Sequence, residues 1–508
     1  MSNLPEVLQI SPMATIDNMT IETSILDPTT ITTNSVRFVI PRKGILDVGS
    51  AVELGCVALD KTLTTDATSL AKKPFYPYKT GIGACIERAT LRCGSVVLAQ
   101  TEQFGRYLTI NNQFKTQAER THRDATYMLT SDGVEPDNDG NGRFQPANCD
   151  WGDDSTGAGK RVQSVVMGVQ DDELVSVPVG LVKLSQLFPH FAKGLQLPLF
   201  AMNDECVLEL EFTQQGTANA DQGAIGIFPS DYAGGGGGNF GCAVDPRTVR
   251  FLSDHLTYHG MGKSGKDRMS EVADMIMSST GLTVPYDNLS LTTMNIPAST
   301  EPNQVVSREI GLAGKVVKTI VMADQSFNAD GTPLLSSQLG LYHSKATWLP
   351  SSYNLRVNDR LLYNRAVERE SYQQNQLAQA MGTDICVANS EYSFDQSVSK
   401  DTTTLGEYTN SRWTDVAVNG FPCETSIANG TFVREGMCHY NAIDLRTDPS
   451  NDSGTLVGQK NITLERNLRR VTQTGSANAS DTAKKTCFCW SQYQQVVNIK
   501  NGRVSVMG

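Results

Sequence analysis

The chain has 508 residues, of which 19% are charged, with 43 glycines and 20 prolines; Ser, Thr, Asn and Gln crowd the segments between apolar runs, a profile of strands and loops more than of helices. Its 43 Lys+Arg against 54 Asp+Glu give a net charge of −11, so the surface as a whole repels nucleic acid, which argues against a DNA-binding identity. No apolar run approaches the roughly 18 residues of a membrane span, and residues 1–35, which contain no Lys or Arg, lack the basic start and apolar core of a secretory signal.

In chain order the pattern predicts mostly strands. Val36 to Ile40 is short, β-branched and closed by Pro41. Val52, Leu54, Cys56 and Ala58 alternate with Glu53 and Gly55, the period of a half-buried strand. Cys85 to Cys93 and Val96 to Leu98 flank Gly94-Ser95 as a hairpin. Val182 to Phe191 reads as a short helix. Cys206, Leu208, Leu210 and Phe212 share one face of a strand whose other face carries Val207, Glu209 and Glu211. After the strand 249–258, Met269, Val272, Ala273 and Ile276 mark a helix over Asp267 to Ser279, stopped by Gly281. Val316 to Ala323, apolar on both faces apart from Lys318 and Thr319, reads as a fully covered strand. Asn364 to Met381 is rich in helix formers and ends at Gly382. Near the end, Asn501-Gly502 between β-branched runs is the signature of a two-residue type I′ hairpin.

Three segments stand out as connections: the acidic Ser131–Lys160, Gln214–Gly241 with its pentaglycine at 234–238, and Asp448–Gly454. Strand-rich blocks of comparable length lie on either side of the 267–279 helix. Residue-level repetition is faint: Arg42-Lys43-Gly44-Ile45-Leu46 echoes Arg308-Glu309-Ile310-Gly311-Leu312. The pattern supports an all-β chain of two stacked sandwiches with a few short helices in the connections.

His255 and His259 have the i, i+4 spacing of a helical metal pair, but the surrounding pattern is a strand, which sets them over ~13 Å apart. No HExxH, GxSxG or Walker loop occurs. Glu209 and Glu211, about 7 Å apart on one strand face, overlap the spacing of a glycosidase pair; they read as a solvated face, with a carbohydrate-binding or glycan-hydrolysing site as the alternative. Asp137-Asn138-Asp139-Gly140-Asn141-Gly142 matches the opening of a calcium loop, yet Asn148 stands at the twelfth position, where a bidentate Glu is required. No metal is therefore assigned, and Asp137, Asp139 and Asn141 are kept only as the donors calcium would use. Of the eleven cysteines, Cys487 and Cys489 fall on one strand face and read as buried thiols, with metal or disulfide use the alternative. Without a leader, Asn-x-Ser/Thr triplets such as those at Asn288 and Asn461 do not indicate glycosylation. No catalytic residue and no cofactor is expected.

A set of segments resembles the double jelly-roll major capsid proteins of icosahedral double-stranded DNA viruses, in the flavour of polinton-like viruses and virophages. Leu187-Phe188-Pro189-His190-Phe191, then Leu197-Pro198-Leu199-Phe200-Ala201-Met202 and the strand 205–212, is similar to the helix, turn and strand that close the family's first roll. The run from Ser352 to Tyr363 resembles its second-roll hairpin, with Asn358-Asp359 in place of Asn-Gly and Asn364 in place of a proline. Strand 249–258 and the helix after it resemble the family's last first-roll strand and connecting helix. The resemblance covers most of residues 20–508. It implies two tandem eight-stranded jelly rolls: an N-terminal segment 1–19, a first roll 20–262, a connecting helix 263–280 and a second roll 281–508. It further implies a homotrimer forming a pseudo-hexagonal capsomer. Its partners would be neighbouring capsomers, penton and minor capsid proteins, with no sequence-specific nucleic acid. The protein would reside in the virion and act by assembly, not as an enzyme.

Overall fold

The computed structural model describes residues 18–54, 56–58, 74–75, 81–113, 180–189, 196–213, 228–229, 242–244, 246–260, 265–299, 303–326, 345–346, 348–368, 370–381, 437–438, 440–446, 453–470 and 484–507. The 131–160 and 448–452 connections, the 137–142 oxygen-rich motif, His190, Trp151 and Trp413 lie outside the described residues.

Alternation builds the first sandwich. Its strands of four or more residues are β1 (Asn18–Leu26), β2 (Ser35–Ile40), β3 (Ala51–Leu54), β4 (Ile86–Cys93), β5 (Val96–Glu102), β6 (Gly180–Lys183), β7 (Cys206–Phe212) and β8 (Arg250–His259), with the short Thr30–Ile31 beside β2 and Ile45–Leu46 beside β8. One sheet runs β1-β8-β3-β6 and the other β2-β7-β4-β5. In β7, Cys206, Leu208, Leu210 and Phe212 enter the core while Glu209 and Glu211 face out, as period two requires.

The second sandwich repeats the winding. It comprises β9 (Leu282–Ile296), β10 (Asn303–Ile310), β11 (Val316–Ser326), β12 (Trp348–Val357), β13 (Arg360–Leu361), β14 (Tyr440–Asp444), β15 (Ile462–Arg470), β16 (Lys485–Lys500) and β17 (Arg503–Met507). Its sheets run β9-β16-β11-β14, with β17 added to β16, and β10-β15-β12-β13. In both units the opening and closing long strands are neighbours, β1 with β8 and β9 with β16, and the second strand pairs with the one before the closing strand, β2 with β7 and β10 with β15. That is jelly-roll winding, used twice.

Among the described residues three helices of ten residues or more sit in the connections: α1 (Phe104–Gln113), α2 (Arg268–Met277) and α3 (Glu370–Met381). Asp267 caps α2 by accepting from the Ser270 amide at 3.1 Å, and Val272 and Ile276 are its buried stripe. Gly281 ends this segment at φ +71°, with the Ile499 carbonyl 2.8 Å from where a Cβ would stand, so only glycine fits.

Three local expectations are corrected. The helix expected over 182–191 is one turn, Leu184–Leu187, because Gly180–Lys183 is captured as a strand by β3. The helix expected from Asn364 starts at Glu370, because Val367 and Tyr353 exchange backbone hydrogen bonds of 2.9 and 3.2 Å that hold the preceding residues extended. The single strand read across 52–58 is divided: β3 joins the first sheet, whereas Cys56–Ala58 pairs with Cys242–Val244.

The longest ribbon, β9 with β16, is paired from Leu282↔Ile499 to Ile296↔Lys485, about 50 Å at ~3.4 Å per residue. Its lower end, with Val284, Tyr286, Val497 and Ile499, belongs to the hydrophobic core of the first sandwich. Its upper end, with Met294, Ile296, Cys487 and Cys489, belongs to the core of the second. The two units thus share strands as well as a boundary.

Candidate functional site

Among the described residues, those singled out for chemistry lie apart: Glu209 and Glu211 on β7, His255 and His259 on β8, Cys487 and Cys489 on β16. Glu209 is 2.7 Å from Arg92 and 3.8 Å from Arg37, and Glu211 is paired with Arg88. β7 lies between β2 and β4, so its outward carboxylates meet arginines on both neighbouring strands. This is a charge ladder across a half-exposed sheet face, with both Glu209 and Glu211 paired to arginines. His255 is buried. Its Nδ1 lies 3.0 Å from the Lys43 carbonyl and its Nε2 2.9 Å from Ser253 Oγ, and burial holds its pKa below the usual value. His259 sits at the strand end and bonds Thr20. Among the described residues no group of three or more His, Cys, Asp or Glu stands close enough to hold a metal. No helix among them is long and apolar enough to cross a membrane.

Cys487 and Cys489 are buried free thiols 3.6 Å apart, as the strand reading expects. Their hydrogen bond and burial push the Cys487 thiol well up, which keeps it protonated and unreactive. Beside them Arg466 of β15 reaches through the core to Asp324 of β11 with two bonds of 2.6 and 2.7 Å. Burial opposes the guanidinium charge, but Asp324 more than restores it. A second buried pair, Lys318 with Asp287 at 2.7 Å, is completed by Gln492 donating to Asp287 at 2.9 Å. In the first sandwich Cys93 and Cys206, directly opposite on β4 and β7, form a disulfide.

The most developed arrangement is the seam between the sandwiches. Edge strand β5 of the first lies against edge strand β9 of the second. Tyr286 donates to the Leu98 carbonyl at 2.7 Å, and Asn288 donates to the same oxygen at 3.3 Å. Asn288 is therefore a buried structural residue, not a glycan acceptor. Trp490 of β16 donates to the Glu102 carbonyl at 3.1 Å, where β5 turns into α1. Helix α1 then covers the outer face of the second unit's sheet: Tyr107 packs on Trp490 at 5.8 Å, Arg106 lies 4.9 Å over Phe488, and Ile110 joins Leu289, Val321 and Leu377. At the lower end Asn203 and Asp204 bind the β16–β17 turn, with bonds of 2.7 Å to the Gly502 carbonyl and 2.9 Å from the Val504 amide. Trp490, Arg466 and Asp324 carry no local motif; a Trp within an otherwise inward-facing Cys-x-Cys strand was the one available signal for an outer face that is also covered.

The Ser253 hydroxyl beside His255 is fully buried with it, and the Glu209 and Glu211 carboxylates are each paired with arginine, so neither set offers a catalytic group to a substrate. What the geometry offers is a stiff body of two similarly wound units, fused by an apolar, hydrogen-bonded seam. No family model matches the chain, and no curated protein does. Among solved structures it is similar to PBCV-1 VP54, in a crystal structure fitted into a reconstruction of the virophage Sputnik, with 11% identity and a TM-score of 0.53 over 98% of this chain and 99% of that one. A model of the PBCV-1 virus capsid gives 11% identity and a TM-score of 0.54 with the same coverage. A structure of the Sputnik virophage gives 12% and 0.53 over 98% of this chain and 90% of that one. These likenesses establish the fold, the double jelly roll of virus capsid proteins.

Proposed function

We propose that the chain is the major capsid protein of an icosahedral double-stranded DNA virus, and that it works by self-assembly into trimeric, pseudo-hexagonal capsomers. The observation that carries this reading is the pair of jelly rolls with one winding, fused rigidly by a shared ribbon: three such chains present six similar sides. A catalytic protein needs one converging site, whereas a tile needs stiffness and repeated faces. The two cores would correspond to a first roll over 20–262 and a second over 281–508, with α2 inside the connection 263–280 and residues 1–19 ahead of them. Capsomer neighbours, penton and minor capsid proteins would be its partners in the virion. The net charge of −11 suits a shell that encloses a genome without gripping it.

The test is the solution mass of the purified chain followed by electron microscopy on concentration. At 55.2 kDa per chain, a closed trimer weighs about 166 kDa. That mass, with hexagonal sheets or shells in the micrographs, is the expected result. A monomer that forms no ordered array would overturn the reading.

A further inference from the structure

The second sandwich holds a buried lysine that its winding does not require. Where β11 pairs with β16, Val317 stands opposite Tyr493 and Thr319 opposite Gln492, so Lys318 is an extra residue in β11. A bulge of this kind re-aims a side chain. Val317 enters the core, whereas Lys318 reaches Asp287 of β9, its Nζ 2.7 Å from Oδ2. The Lys318 side chain is 1% exposed and that of Asp287 13%.

The same Asp287 oxygen accepts from Gln492 Nε2 at 2.9 Å, and Thr319 Oγ1 donates to Gln492 Oε1 at 3.1 Å. Register explains the convergence. Leu289, Gln492 and Thr319 stand in one row across β9, β16 and β11, and Asp287, two residues before Leu289, shares their face. On the other side of the row Trp490 and Val321 join Leu289 in the apolar cluster that Tyr107 and Ile110 of α1 cover. A primary amine and a carboxamide are thus held on one carboxyl oxygen beside an apolar layer, with a hydroxyl on the amide oxygen. These are the parts of an amide exchange, in which a desolvated lysine is the nucleophile.

We propose that the folded chain joins Lys318 to Gln492 through an amide bond between their side chains, with Asp287 as acid and base. Asp287 takes a proton from the Lys318 ammonium, a transfer made easier where water does not solvate the two ions. The freed Nζ lone pair attacks Gln492 Cδ, and the carbonyl pair moves onto Oε1, where the Thr319 hydroxyl stabilises the charge. Asp287 passes its proton to Nε2, the Cδ–Nε2 bond breaks with its electrons on nitrogen, and the carbonyl re-forms. Asp287 then takes a proton from Nζ and yields it to the departing ammonia, so ammonium leaves and the carboxylate is restored. No oxidant, reductant or cofactor enters. The bond ties β11 to its neighbour β16, as Cys93–Cys206 ties β4 to β7 in the first roll. The inference does not depend on the assembly reading.

The test is mass spectrometry of the full chain, intact and after unfolding and trypsin digestion. The expected mass is lower than the sequence requires by one ammonia, about 17 Da, with no cleavage after Lys318 and its peptide joined to the one carrying Gln492. Asp287→Asn keeps the shape but cannot shuttle the proton, so that variant should retain the ammonia and be cleaved after Lys318. A joined peptide in Asp287→Asn would overturn the role of Asp287. If that substitution unfolds the chain, the unmodified protein decides alone: full mass and cleavage after Lys318 in protein that had folded overturn the proposal. Loss of one water, about 18 Da, with the Lys318 peptide joined to the one carrying Asp287 would overturn Gln492 as the acceptor. Ammonia lost elsewhere, as at Asn501-Gly502, leaves the two peptides separate and counts equally against it.

Discussion

The two rolls share a winding but fill it differently. In the first, the covalent tie lies within a sheet, where Cys93–Cys206 joins neighbouring strands β4 and β7. The buried polar groups on its strands are neutral and hydrogen-bonded one by one, His255 to Ser253 and to the Lys43 carbonyl 212 residues away. In the second, the tie is ionic and runs between sheets, Arg466 of β15 to Asp324 of β11, with the Cys487 and Cys489 thiols alongside. The difference shows that the backbone path is set by alternation and turn chemistry, while what fills the core is free to vary. It also assigns the rolls different weak points. The first is held against sliding of two adjacent strands, the second against separation of its two sheets.

The sharpest way to break that contrast is Asp324→Ala. Losing one partner of a buried pair strands the other's charge, at a cost of about 3–5 kcal/mol. The expected outcome is a large drop in stability by chemical denaturation, with hydrogen-exchange protection lost in β11 and β15 before β4 and β7. Pairing Asp324→Leu with Arg466→Met removes both charges and should restore most of the loss. Equal loss of protection in both rolls would mean that the ion pair holds the whole body and not one core. Next in size is removal of the disulfide by Cys93→Ala with Cys206→Ala. This frees a chain separation of 113 residues and should cost about 2–4 kcal/mol. Here protection should fall in β4 and β7 first, the reverse order. Identical exchange patterns for the two variants would collapse the comparison.

How much of this was legible in the sequence follows from the range of the interactions. Local signals read well. Asn501-Gly502 forms its turn with φ of +53° and +73°, and α2 lies where the Met269–Ile276 spacing places it. Asn358-Asp359, in place of the expected Asn-Gly, takes the same left-handed pair at +51° and +65°, since Asn and Asp tolerate that region. The faint echo between 42–46 and 308–312 falls at the exit from the second strand of each roll, with Ile45 and Leu312 both buried. Links between distant residues left no local trace. Asp324 and Arg466 are 142 apart, Trp490 and Glu102 are 388 apart, and each is unremarkable within its own strand. The short helix misread at 182–191 failed for the same reason: β3, far away in sequence, claimed Gly180–Lys183 as a strand. The charge ladder of Glu209 and Glu211 was legible as a solvated face, but its arginine partners come from strands on either side.

The smallest expected effect tests whether the first roll alone responds to mild acid. The Lys43 carbonyl can only accept, so His255 Nδ1 carries the proton and Ser253 Oγ donates to Nε2, a neutral ring satisfied on both sides. Burial lowers its pKa; the bond to Lys43 and the charges of Glu22 and Asp254 oppose that shift, and the Lys43 ammonium adds to it. An unfolded histidine titrates near pH ~6.5. Below that pH the unfolded chain takes up a proton that the folded chain still refuses, so stability is full above it and falls as the pH drops toward the lowered folded value. His255→Gln keeps a donor and an acceptor but cannot titrate, so its stability should change less between pH 7.5 and pH 5.5 than that of the unmodified chain. In the second roll the nearest equivalent, the Arg466–Asp324 pair, keeps its guanidinium charged throughout this range. Exchange protection on acidification should therefore weaken around β8 and not around β15. Parallel pH dependence in His255→Gln and the unmodified chain would place the acid sensitivity elsewhere and return the two cores to equivalence in this respect.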